Sequence, residues 1–313
     1  MAKWIAADML DQSGRVIIVT GANSGLGKES ARALAAKGAH VIMAARNQKS
    51  NEEARADILR TVPNAQLELA RLDLGDLASI HDFATRFKAA HPRLDILMNN
   101  AGLMAVPFSK TTDGFEMQFG VNHLGHFALT GLLLERLLPN TGSRVVSLGS
   151  SATLLGSLNF EDLQSDKGYS RYGAYAQSKY ANFVFAYELD KRLKAVGAHT
   201  MSNAAQPGFI YTNLQNRAAT ESGVGAEAVV YKILSRVLAQ PIEMGVLPQL
   251  YAATAMNARG GAFYSPDTFY VFGYPGEIRA PKSAYDPAIG ARLWEVSEQL
   301  TGVHYAFGDA VPV

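Results

Sequence analysis

No cysteine occurs among the 313 residues, which excludes disulfides, thiol catalysis and thiolate metal sites and makes a cytoplasmic location the natural expectation. Charge of either sign is also scarce in excess. The net charge is +1 and no basic run occurs, so neither a nucleic acid nor an acidic membrane surface is expected as partner. No segment reaches the roughly 18 uninterrupted apolar residues of a membrane span. The short apolar run at the N-terminus is broken by Asp8 and Asp11, too soon for a signal peptide. Linkers, low-complexity tracts and short-period repeats are missing too, which favours one domain over residues 1–313, with a core at about 14–265 and an extension over about 266–313. What is present, 48% hydrophobic and 18% charged residues, is ordinary for a globular chain with a full core.

The apolar patterning alternates between two periods. Residues 15–20, Arg-Val-Ile-Ile-Val-Thr, form a β-branched run that reads as a buried central strand. A glycine-rich turn over 21–27 follows, then an alanine-rich helical pattern over 28–37 ended by Gly38, then a strand over 40–45. Helices are expected over 50–61, 77–90, 114–138 and 172–196, and strands over 66–72, 94–98, 144–148 and 199–205. A right-handed crossover makes successive strands parallel. This alternation predicts an α/β fold: a single doubly wound parallel sheet of Rossmann type, with helices on both faces and an irregular C-terminal extension. In the last third, helices are expected over 227–238 and 243–256 and a final edge strand over 261–264. Beyond it, only residues 289–300 carry a helical face, with Leu293, Val296 and Leu300.

Gly21, Gly25 and Gly27 stand where a strand turns into a helix. Glycine there permits the tight turn and lets backbone approach a pyrophosphate, while the helix N-terminus offers free N–H groups and partial positive charge. About 20 residues on, an NAD-binding chain usually places a carboxylate for the adenosine ribose. Here the segment reads Ala44-Ala45-Arg46-Asn47. No carboxylate repels a 2′-phosphate and Arg46 can make charge-assisted bonds to one, so NADP is expected over NAD, unless Arg46 is only a solvated post-strand arginine. Further along, Tyr175 and Lys179 are four apart and lie on one helix face. An ammonium near the phenol lowers its pKa, which would make a general acid/base near neutral pH. The plainer reading is an aromatic with a snorkelling lysine.

Together, Thr20-Gly21-x-x-x-Gly25-x-Gly27, Asn99-Asn100-Ala101-Gly102 and Tyr175-x-x-x-Lys179 occur in order and at matching spacing. The chain resembles the short-chain dehydrogenase/reductase family over roughly residues 14–265. Phrases such as Val121-Asn-His-Leu-Gly-His-Phe127 resemble its retinol dehydrogenase-like branch and bacterial relatives. The resemblance implies a tetrad of Asn122, Ser150, Tyr175 and Lys179. Tyr175 would exchange a proton with the substrate oxygen. Lys179 would hold the nicotinamide ribose and favour the phenolate, Ser150 would hydrogen-bond the reacting oxygen, and Asn122 would bind a water of a proton relay. Gly149 stands where the family commonly has the first of paired serines, so Ser151 remains an alternative to Ser150. The resemblance also implies cofactor contacts from Gly21, Asn23, Ser24, Gly25, Leu26 and Gly27 in the first turn, and from Arg46 after the second strand. Asp73 and Leu74 would meet the adenine, Asn100, Ala101 and Gly102 would pass the adenosine ribose, and Pro207, Gly208, Ile210 and Thr212 would reach the carboxamide and phosphates.

The expected activity is NADP-dependent interconversion of a small-molecule carbonyl and alcohol, on an apolar substrate if Phe160, Phe209, Phe269, Tyr270 and Phe272 line its pocket. Residues 211–225 are the candidate lid. Tyr169 and Tyr172 could flank the mouth or simply pack. His123 and His126 are three apart, but no third ligand is spaced to complete a site, so no metal is expected. The alternatives are a non-catalytic NADP-binding sensor or scaffold, and a double-bond reductase of the protochlorophyllide reductase type. The resemblance further implies a homodimer or homotetramer through the long helices, unless the extension caps that surface.

Overall fold

The β-branched run that opens the chain becomes β1 (Val16–Thr20), where Ile17, Ile18 and Val19 are wholly buried. Each such side chain contributes about 1.5–3 kcal/mol through removal from water. A computed structural model describes residues 3–210 and 239–308. Thr212, the candidate lid and the helix expected over 227–238 lie outside the described residues. In chain order β1 is followed by α1 (Gly25–Ala36), β2 (His40–Ala45), α2 (Gln48–Thr61), β3 (Gln66–Arg71), α3 (Leu77–Ala90) and β4 (Ile96–Asn99). Then come a helical turn α4 (Met117–Phe119), a π turn over Gly120–Leu124, α5 (Gly125–Leu137), β5 (Arg144–Leu148), α6 (Arg171–Ala195) and β6 (Met201–Ala205).

The strand order is β3-β2-β1-β4-β5-β6-β7-β8, in which β7 is Phe263–Thr268 and β8 is Phe272–Ile278. All pairings are parallel except β7 with β8. The order reverses between β1 and β4, and the crevice at that reversal is where a doubly wound sheet binds ligands. One face of the sheet is covered by α1, α2 and the helix α8 (Leu247–Thr254), and the other by α3, α5 and α6. Helix α3 starts where the sequence places it because the Asp76 carboxylate accepts from Ala78 N and Ser79 N, satisfying first-turn donors.

The C-terminal region departs from expectation. The strand expected over 261–264 is β7, and it is not the edge, because β8 pairs antiparallel outside it. Gly273, Pro275 and Gly276 conceal β8 in the sequence. An edge strand tolerates proline, which has no donor to offer a further neighbour. The helix expected over 243–256 is two pieces, α7 (Ile242–Gly245) and α8, with Pro248 in the first turn of the second. Proline fits there because that turn needs no N–H from it. The last helix, α9 (Pro287–Thr301), runs two residues before and one beyond the expected 289–300 and lies across α6 and α5. Its Trp294 joins Tyr305, Phe127 and Phe185 in one aromatic cluster.

Candidate active site

The glycine turn is shaped by what touches it. Gly21 has φ +67°, a conformation that favours glycine, and a Cβ on it would lie 3.1 Å from Ala101. A Cβ on Gly27 would lie 2.3 Å from the Gly21 carbonyl and 2.6 Å from Asn100 Nδ2. The Asn100-Ala101 segment therefore rests directly on the turn, and Thr20 laces the two together. Its hydroxyl accepts from Asn100 N and Ala101 N at 2.9 Å, while Asn100 Nδ2 donates to the Thr20 carbonyl at 2.7 Å. Behind this lacing, His126 Nδ1 donates to the Asn122 carbonyl, which leaves Nε2 to accept from the Thr20 hydroxyl at 2.9 Å.

A cleft of about 1160 Å³ opens along this lacing. It is lined at one end by Gly21, Asn23, Ser24, Gly25, Leu26 and Gly27, and by Arg46, Asp73 and Leu74. The Ser24 side chain makes no cap hydrogen bond, so the first-turn N–H groups of α1 stand at the cleft uncapped by it, as a pyrophosphate site requires. A dinucleotide fits this cradle. Backbone comes close to the space at Gly21 and Gly27, and any side chain on Gly27 would displace it. Arg46 is 66% exposed, with its guanidinium 3.8 Å from Asp73. Asp73 Oδ1 also accepts from Gly75 N, and Asp76 rather than Asp73 caps α3.

Asn100, Ala101 and Gly102 line the cleft beside the turn, and it is lined further by Tyr175, Lys179, Ser150 and Ser151 and by Pro207, Gly208 and Ile210. Tyr175 and Lys179 lie one turn apart on α6, both buried. The Lys179 ammonium sits 5.9 Å from the Tyr175 ring centroid and donates to the Leu148 carbonyl at 2.9 Å. Burial pushes its pKa down to about 8, because a charged ammonium loses hydration there. Ser150 lies two residues beyond β5, after Gly149, and is half-buried, while Ser151 is exposed. The Ser150 hydroxyl accepts from Ala152 N at 3.3 Å. Gly149 is explained by packing: a Cβ there would lie 3.2 Å from the Phe263 ring and from Thr153 Oγ1.

Asn122 occupies the π turn, where Gly125 N bonds to the Gly120 carbonyl, a geometry frequent at functional sites. Its side chain clamps the loop after β4. Oδ1 accepts from Leu103 N at 2.7 Å, and Nδ2 donates to the Leu103 carbonyl and to Ser178 Oγ, both at 2.9 Å. Gly102 is seated between this amide and the lysine: a Cβ on it would lie 3.1 Å from Asn122 Oδ1 and 3.2 Å from Lys179 Nζ. Gln118 fixes the next stretch of loop, accepting from Ala105 N and donating to Tyr169 Oη.

Several cleft residues carry no sequence motif. Lys28, Asn47 and Ser50 line the Arg46 end. A lysine in the first turn of a helix opposes the dipole, and that was the available signal for Lys28. Its ammonium reaches Asp57 at 2.9 Å. Hydrogen bonds from Lys28, Arg32 and Arg60 hold the Asp57 carboxyl well below the usual range. Near Tyr175 the lining includes Leu103, Met104, Val106, Leu155, Tyr172 and Phe209. Of the aromatic residues expected around the substrate, Phe209 lines the cleft. Phe160 instead lies under Arg292, with the guanidinium 4.4 Å from its ring centroid, and Phe269 and Tyr270 are exposed. Tyr169 donates to the Val106 carbonyl and so supports the wall from behind. His123 and His126 are both buried, and burial pushes their pKa values down to about 3 and about 4.

The family model for short chain dehydrogenases matches residues 15–223. Retinol dehydrogenase 12 of Mus musculus is 39% identical over 294 residues, covering 93% of this chain and 88% of the relative. A crystal structure of a Mycobacterium paratuberculosis protein superposes with a TM-score of 0.80 at 40% identity, over 97% of this chain and 100% of that one. RhlG of Pseudomonas aeruginosa, solved as an NADP active-site complex, gives a TM-score of 0.63 at 26% identity over 81% of this chain and 94% of its own. No helix among the described residues is long and apolar enough to cross a membrane. The chain belongs to the short-chain dehydrogenase family, in its retinol dehydrogenase-like branch, and is an oxidoreductase.

Proposed function

We propose that the chain acts as one domain over residues 1–313 and interconverts an apolar carbonyl and its alcohol with NADP. The observation that carries this reading is a single cleft lined both by the glycine turn and by Tyr175, Lys179 and Ser150. When bound, a nicotinamide dinucleotide supplies or accepts the hydride. Tyr175 Oη gives the proton to, or takes it from, the substrate oxygen. The Lys179 ammonium stabilises the phenolate and holds ribose hydroxyls, and the Ser150 hydroxyl donates to the reacting oxygen as negative charge develops there. Asn122 holds the Leu103 loop and, through Ser178, the face of α6 that carries the tyrosine. Asp73 and Leu74 flank the adenine, Pro207, Gly208 and Ile210 meet the nicotinamide end, and Thr212 reaches the phosphates. Thr212 rests on the resemblance alone.

The preference for NADP rests on Arg46 and Lys28 at the cleft end that begins where β2 stops, with no carboxylate at residues 44–47. Leu103, Met104, Val106, Leu155 and Phe209 favour an apolar substrate, and the name of the mouse relative puts retinoids first in any panel. Fluorescence titration of wild type and Arg46→Ala with NADPH and NADH, followed by turnover of retinal and shorter aldehydes by wild type and Tyr175→Phe, tests the reading. Tighter binding of NADPH, a preference that collapses in Arg46→Ala, and a loss of about 10²–10⁴ in turnover in Tyr175→Phe are expected. Binding of neither nucleotide would overturn the enzymatic reading.

A further inference from the structure

The sheet edge opposite β8 carries a second cluster of chemical groups. His40 opens β2, and Glu68 lies on β3, whose register pairs Ile42 with Glu68 and His40 with Gln66. Paired residues of parallel neighbours point to one side and alternate along each strand. His40 and Glu68 therefore share a face, the one on which Ile42 joins Phe83 and Phe87 of α3 in the core. His91 follows the last turn of α3 and returns to the same place. Its N–H donates to the Phe87 carbonyl, its ring stacks on Phe87 with centroids 4.7 Å apart, and its carbonyl accepts from Arg136 Nε.

Both histidines aim Nε2 at the Glu68 carboxylate: His40 lies 3.4 Å from Oε2, and His91 lies 3.2 Å from Oε2 and 3.4 Å from Oε1. All three ligand atoms lie within 4.8 Å of one another. As hydrogen bonds these distances are long, since N–H···O contacts centre near about 2.9–3.0 Å. As separations between ligands they are apt: bonds of about 2.0–2.2 Å around a tetrahedral ion leave neighbouring donors about 3.4 Å apart. The side chains are 31%, 43% and 12% exposed for His40, Glu68 and His91, so an ion has a path in and solvent at a fourth position. The Arg136 guanidinium on the backbone side of His91 is paired with Glu135 at 3.3 Å, which offsets its repulsion of a cation.

We propose that His40, Glu68 and His91 form a binding site for a divalent transition metal of the zinc type. Two imidazoles and one carboxylate make a three-ligand set suited to borderline ions, with water as the fourth ligand. The three ligands come from β2, β3 and the end of α3, so the ion clips the sheet edge to the covering helix. The strand start that carries His40 is remote from the cleft, which lies at the other end of β2 beside Ala44 and Ala45. The role is therefore stabilisation of the fold, independent of the oxidoreductase reading.

The test uses the full chain without an affinity tag, stripped of metal. Zn²⁺ is titrated by calorimetry, Co²⁺ is followed by visible absorption, and the melting temperature is recorded with and without Zn²⁺. The wild type is expected to take up one equivalent, show the absorption of tetrahedral Co²⁺ and melt higher with Zn²⁺. Affinity should fall at least tenfold in each of His40→Ala, Glu68→Gln and His91→Ala, while NADPH binding is unchanged. Folding of each variant is verified by its circular dichroism, and His304→Ala, in an exposed histidine elsewhere, should bind as the wild type does. Absence of one-equivalent uptake, or uptake with equal affinity in the three folded variants, would overturn the proposal.

Discussion

The Lys179 ammonium donates to the Leu148 carbonyl at 2.9 Å, so the last residue of β5 holds the charged end of a side chain rooted in α6. Its pKa, down at about 8 against an ordinary 10.5, means that between those values the unfolded chain binds more protons than the folded one. Stability contributed at this site therefore rises with pH through that window, as the burial penalty on the charged form is relieved. Compared with Lys179→Met, the ligand-free wild type should gain on the order of 2 kcal/mol between pH 8 and pH 10. Urea unfolding at both pH values measures this difference. Turnover in Lys179→Met should fall about 100-fold or more, and a variant that retains activity would remove Lys179 from the proposed chemistry.

Gly27 packs against backbone rather than against movable side-chain ends alone. A methyl there would meet the Gly21 carbonyl at 2.3 Å, and the turn has to shift to admit it. Gly27→Ala should cost about 1–3 kcal/mol and weaken NADPH binding at least tenfold. Gly25→Ala differs: among the described residues beyond its chain neighbours and its own helix backbone, nothing lies within 4 Å of its Cβ, and the penalty comes from φ +54°. Thermal melts and fluorescence titrations of the two variants separate contact from conformation, with Gly27→Ala expected to be the more damaging to binding.

Much of this arrangement was legible because the chemistry is local. A strand ending in Thr20, three glycines and a helix start are contiguous, and Tyr175 and Lys179 are one turn apart, so spacing alone puts each group on its element. Residues joined only by the fold were silent. His40, Glu68 and His91 come from three elements, and Lys28 lines the cleft paired with Asp57 of α2. The Gly149 departure becomes intelligible only when β7 places Phe263 against it. Strand β8 was hidden by the glycines and proline that an edge position tolerates, and the split between α7 and α8 by the continuity of their apolar pattern across Val246.

His123 and His126 tie acid stability to the helix that contains Asn122. Burial is the largest cause of their low pKa values, about 3 and about 4, with smaller contributions from His126 on His123 and from Lys179 on His126. An unfolded histidine titrates near 6.5, so below that pH the unfolded chain takes up protons that the folded chain refuses. The stability present above pH 6.5 is lost as pH falls toward 4. The two sites should each remove on the order of 2 kcal/mol between pH 7 and pH 5. Urea unfolding should show a smaller loss over this interval for His126→Gln than for wild type. Equal pH slopes would mean that His126 is protonated in the folded state.

The C-terminal extension covers α5 so closely that a glycine is needed under it. A Cβ at Gly131 would lie 2.7 Å from both Tyr305 and Val303, while the Tyr305 hydroxyl donates to the Phe127 carbonyl at 2.7 Å. Together with Trp294, over which the Arg192 guanidinium sits at 4.3 Å, these residues occupy outer faces of α5 and α6. Self-association through those faces therefore requires the extension to move. Tyr305→Ala should cost about 3 kcal/mol or more, or several degrees of melting temperature for a chain of this size. Gly131→Leu should also destabilise, with every contact made by the other residues of the extension left chemically intact. If the extension caps these helices, light scattering should show more self-association in Gly131→Leu than in wild type, because lifting Tyr305 uncovers Phe127 and Trp294. If the wild type already assembles through α5 and α6, the variant should instead leave its oligomeric state unchanged.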